Sequence, residues 1–85
     1  KGVEINVEKA FYWFERSAEQ GYVDGERALG ISFYEGIGVT QDYAKAFELF
    51  QKSAEKGDHS AMCWLALCFF KGRGVEESAK QAMYW

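Results

Sequence analysis

The chain has 85 residues, 48% of them hydrophobic and none proline, enough for one small folded unit near the lower limit of a self-sufficient core. Its net charge of −3 comes from interspersed acidic and basic residues, so no basic stripe offers itself to nucleic acid. The longest apolar run, Ala61 to Phe70, falls far below the ~20 residues of a membrane-spanning helix.

The chain opens with Lys1-Gly2-Val3, a partial copy of a stretch that recurs at a fixed interval. Gly36-Ile37-Gly38-Val39 returns 36 residues later as Gly72-Arg73-Gly74-Val75. Thirteen positions are identical between residues 1–36 and 37–72, among them Lys9/Lys45, Phe11/Phe47, Phe14/Phe50, Ser17/Ser53, Leu29/Leu65 and Phe33/Phe69. A period of this size marks a stacked repeat. It divides the chain into repeat one (1–36), repeat two (37–72) and the first part of a third (73–85).

Lys1 to Ile5 reads as a connector. Asn6, Asp42 and Ser78 then hold equivalent positions, and all three side chains can accept a hydrogen bond from the free amides of a first helical turn. Ser78 and Gln81 also have capping-box spacing. From Asn6 to Gln20, Val7, Ala10, Phe11, Phe14, Ser17 and Ala18 recur at the steps of an amphipathic helix. Tyr43, Ala46, Phe47, Phe50, Ser53 and Ala54 repeat that stripe. Gly21 and Gly57 follow as left-handed caps. Tyr12 and Trp13 recur as Tyr84 and Trp85, and the two indoles are expected to pack between repeats.

Second helices are predicted from about Asp24 to Glu35 and from about Ser60 to Lys71, each ended by a glycine, Gly36 or Gly72. Gly30 and Ala66 supply small residues where two helices would cross closely. Most of the remaining glycines sit at seams, which reads as punctuation and not as phosphate binding. Cys63 and Cys68 are five apart on one helix, ~140° around its axis, so they cannot bridge each other while it stands. They read as small buried hydrophobes. Each copy is thus a helix–turn–helix unit, and the fold expected is an all-α solenoid, an α/α superhelix whose stacked units bury what one cannot bury alone. The chain begins in a loop and ends inside a predicted helix. It is expected to be a piece of a longer array, with self-association possible through its exposed repeat ends.

This pattern resembles the Sel-1-like repeat, a relative of the tetratricopeptide repeat. The elements that carry it are Gly-x-Gly-Val, an N-cap, Lys-Ala, two aromatics, Ser-Ala-Glu, Gly, then Leu-Gly or Leu-Ala with an aromatic and a final Gly. The resemblance covers the whole chain. It implies a scaffold or adaptor for protein–protein interaction, with the second helix of each pair lining a concave groove. The positions matching groove-facing ones are Arg27, Ile31, Tyr34 and Glu35, then Cys63, Leu67, Phe70 and Lys71. The second set is apolar enough to take a peptide or a partner helix, although Leu67 and Phe70 would serve equally for packing on a neighbouring repeat.

Two other readings compete. Ser53-Ala54-Glu55-Lys56 fits the Ser-x-x-Lys signature of penicillin-recognising enzymes, and a secreted, cysteine-rich branch of the family is associated with β-lactam binding and weak hydrolysis. The first copy has no lysine there, no Ser-Asp-Asn or Lys-Thr-Gly follows, and the cysteine pair of that branch is missing. The chain would alternatively be a structural spacer. His59 and Cys63 offer two metal ligands where a structural zinc site needs four, and nothing in the sequence calls for a metal or a cofactor.

Overall fold

The computed structural model describes residues 7–75 and 78–84. Asn6 and Trp85, named above as a cap and as a packing residue, lie outside them. The order is α1 (Val7–Glu19), α2 (Val23–Glu35), α3 (Tyr43–Glu55), α4 (His59–Lys71) and α5 (Ala79–Tyr84). There is no strand among the described residues. Each helix packs on the next in the chain, and the stack measures 46 × 22 × 22 Å. This is the elongated, all-helical solenoid that the period predicts.

The helices start and stop where local chemistry directs them. The Asp42 carboxylate accepts from the Lys45 amide at 3.2 Å, and the Ser78 hydroxyl accepts from the Gln81 amide at the same distance. Gly36 and Gly72 close α2 and α4 with φ of 70° and 67°, a left-handed conformation that costs a residue with a Cβ roughly 1–2 kcal/mol. α2 and α4 each begin one residue earlier than predicted, which makes His59 the first residue of α4 and not part of the turn.

The period is written into the backbone hydrogen bonds. Asp42 N–H donates to Phe33 O and Ser78 N–H to Phe69 O, both at 2.8 Å. Side chains repeat as well. Phe11 meets Phe33 edge to face at 5.5 Å, and Phe47 meets Phe69 in the same way at 5.4 Å. The core sits where helices have neighbours on both sides. Ala46 and Phe50 from α3, and Ala61, Leu65 and Cys68 from α4, are fully buried, with Tyr34 of α2 beside them. Gly30 lets α2 approach α3, since a Cβ there would lie 2.7 Å from the Phe50 ring.

Two expectations fail for the same geometric reason. Trp13 does not pack between repeats but is 59% exposed, set edge to face against Tyr12. Successive helical residues point ~100° apart, so the side that brings Phe11 to α2 turns Trp13 outward. Cys68 is buried as expected, whereas Cys63 is exposed. The rotation that keeps the two thiols apart also carries one of them out of the core.

Candidate functional site

Side chains link α2 to the α4 region, through Arg27 at one end and Tyr34 towards the other. Arg27 Nη1 donates to both carboxylate oxygens of Asp58, at 3.0 and 3.1 Å, and Nη2 lies 3.2 Å from the exposed Asp24. The hydrogen bond to Asp58 is the main cause that raises the Arg27 pKa. Arg27 is thus a half-buried clamp between the start of α2 and the turn before α4.

Tyr34 is buried, not lining an open groove. Its ring contacts those of Tyr43 at 5.0 Å and Trp64 at 5.1 Å. Its hydroxyl accepts from Arg73 Nη1 at 2.8 Å. The Arg73 guanidinium lies 5.6 Å from the Tyr34 centroid and 5.2 Å from that of Tyr43. The same Tyr34 hydrogen bond is the main cause that raises the Arg73 pKa.

The other candidates divide by depth. Ile31 and Leu67 are half-buried against the core, while Glu35, Cys63, Phe70 and Lys71 are exposed. Cys63, Trp64 and Leu67 line a shallow open depression of about 180 Å³. Phe70, one turn beyond Leu67, is 61% exposed although its counterpart one period earlier is the buried Tyr34. The difference is what stands over each ring: Tyr34 has Tyr43, Trp64 and Arg73, and Phe70 lies outside that cluster.

Ser53 and Lys56 do structural work. Ser53 is fully buried, and its hydroxyl donates to the Val23 carbonyl at 3.0 Å. Lys56 Nζ donates to Gly21 O at 2.7 Å and to Glu26 Oε2 at 2.9 Å. The Glu26 carboxylate is buried, and its Oε1 has no partner among the described residues. The Ser53 hydroxyl is sealed from solvent, and Lys56 is turned towards Glu26. Among the described residues no three metal-ligating side chains gather, so His59 and Cys63 remain two. Among the described residues no helix is long and apolar enough to cross a membrane.

Sequence reasoning missed Arg73, Trp64, Glu26 and Lys56 as contact makers. A signal was present. Each departs from the repeat, standing opposite Ile37, Ala28, Met62 and Gln20. All four stand at positions that break the period, whereas the glycine stops and the paired phenylalanines keep it.

The Sel1 repeat family matches residues 1–22, 23–58 and 59–85. Its middle match pairs α2 with α3, the same period read from another starting point. Among solved structures, a protective antigen of uropathogenic Escherichia coli displaying an SLR fold is 38% identical over 94% of this chain, with a TM-score of 0.91. A Sel1 repeat protein from Oxalobacter formigenes is 31% identical over 99% of it, with a TM-score of 0.90. Cysteine-rich protein B of Helicobacter pylori is 29% identical over 94%, with a TM-score of 0.85. The chain spans 17%, 35% and 60% of these structures, respectively. No curated protein matches it. Matched along its whole length and repeating with the same period, the chain belongs to the Sel1 repeat family, whose members commonly serve as protein–protein interaction scaffolds.

Proposed function

We infer that this chain is a protein-binding segment that takes a peptide or partner helix along the face shared by α2 and α4. The observation that carries this reading is the exposed Phe70. It continues the line of Cys63 and Leu67 along α4 at steps of four and three residues, beside the open depression under Trp64. A large apolar side chain held in water by a rigid helix is a suitable anchor for a partner's apolar face. Ile31 widens the face, and Glu35 and Lys71 give it a mixed polar rim. Arg27 and Tyr34 serve it from beneath by fixing α2 against α4.

The enzyme alternative draws no support from Ser53, which is buried and donates its hydroxyl to Val23 O. The spacer reading and self-association through the repeat ends remain to be separated from partner binding by measurement. A peptide library selected on the chain provides ligands, and fluorescence polarisation then compares Phe70→Ser with Trp13→Ser, with helicity checked for both. Loss of affinity by about 30-fold in Phe70→Ser alone, the size of a hot-spot truncation, supports the α2/α4 face. Loss confined to Trp13→Ser moves the site to α1. Failure to select any peptide favours the spacer, and sedimentation of the same samples reports association between copies.

A further inference from the structure

We propose that the Tyr34–Tyr43 aromatic platform is a subsite for an arginine side chain, filled in this chain by its own Arg73. Two features read the cation. The ring centroids of Tyr34 and Tyr43 lie 5.6 and 5.2 Å from the guanidinium carbon, within reach of the ring quadrupoles. The Tyr34 hydroxyl accepts one N–H at 2.8 Å, which fixes the orientation of the planar fork. A lysine ammonium has no such fork and is more strongly hydrated, so the geometry favours arginine.

The occupant is separable from the fold around it. The Arg73 backbone N–H bonds to Cys68 O at 2.9 Å without help from the side chain, and Ile37 makes the same bond to Ser32 O in the first copy. The loop therefore closes its helix with or without a guanidinium. Among the described residues no carboxylate lies within ion-pair distance of Arg73, so among them exchange for another arginine breaks no salt bridge.

The platform also adjoins the depression. Trp64 packs on Tyr34 at 5.1 Å and lines the hollow with Cys63 and Leu67. A protein segment that presents an arginine next to an apolar side chain would engage both at once. This goes beyond the groove reading by naming the side chain the partner brings, and a single amino-acid derivative tests it even if no partner for the groove exists.

The experiment titrates N-acetylarginine amide into the Arg73→Ala chain and follows the aromatic resonances of Tyr34, Tyr43 and Trp64. N-acetylcitrulline amide serves as the uncharged isostere. The expected result is saturable, roughly millimolar binding of the arginine probe to the variant, at least ~10-fold tighter than the citrulline probe. The parent chain should need ~10-fold more probe, because the tethered Arg73 competes at high effective concentration. Equal binding of the two probes, or no saturable shift in a helical Arg73→Ala chain, would overturn the proposal. Should Arg73→Ala lose helicity, Arg73→Gln is titrated instead, and loss of helicity in both would show Arg73 to be a strut, which equally overturns it.

Discussion

The rings of Phe50 and Trp64 lie stacked, 5.2 Å between centroids and 12° from parallel, and join α3 to α4. Phe50 is fully buried, so its removal leaves a cavity between α2, α3 and α4. Phe50→Ala is expected to cost about 3–5 kcal/mol, measured by urea denaturation followed at the helical circular dichroism signal. In a unit this small that is most of the stability. A cost under 1 kcal/mol would mean that the described core does not hold the stack together.

Gly30 gives a prediction in which two effects oppose each other. In an exposed helix, Gly→Ala stabilises by about 1 kcal/mol. Here the new methyl would lie 2.7 Å from the ring of the fully buried Phe50. Overpacking costs about 1–3 kcal/mol and should win. Gly30→Ala is therefore expected to lower the melting temperature, and a rise would show that α2 and α3 separate readily.

Ser53→Ala tests structure against catalysis. The substitution removes the hydrogen bond to Val23 O, and a loss of about 1 kcal/mol is expected. Lys56→Ala should cost about 1–3 kcal/mol, because it strips the buried Glu26 carboxylate of its only charged partner among the described residues. Hydrolysis of a chromogenic cephalosporin should stay at the buffer rate for the parent and for both variants. Turnover by the parent that vanishes in Ser53→Ala would revive the enzyme reading.

The two cysteines should differ sharply in reactivity. Cys63 is exposed, while burial pushes the Cys68 thiol from 9.0 up to about 11. The thiolate is the nucleophile, so iodoacetamide at pH 8 should label the native chain once, at Cys63, and twice only after unfolding. Folding favours the protonated Cys68 thiol, so its contribution to stability is full below pH 9 and fades as pH climbs through about 11. Mass spectrometry of native and urea-treated samples, with melts at pH 8 and 11, checks both points.

What was readable from the sequence was what repeats. Helix positions, the Asp42 and Ser78 caps, the glycine stops and the paired phenylalanines follow from local chemistry that recurs every 36 residues. The candidate site was readable only in part. Phe70 is exposed and Leu67 is half-buried against the core, whereas Tyr34, at Phe70's own repeat position, is buried. Repeat position sets the direction in which a side chain leaves its helix, and neighbours decide whether water reaches it. Those neighbours include Trp64 and Arg73, 30 and 39 residues away along the chain, beyond the reach of any local pattern.

The reach of Arg73 has a mechanical consequence. Its hydrogen bond to Tyr34 joins residues 39 apart and so steps over a whole unit. In a stack where each unit leans only on its neighbours, unzipping starts at an end and advances one unit at a time. Here the loop after α4 touches α2 through one side chain, while its backbone is held separately by the Arg73 N–H bond to Cys68 O. Fraying at the last unit is therefore felt in the first as the loss of one hydrogen bond and its ring contacts, a soft latch and not a strut.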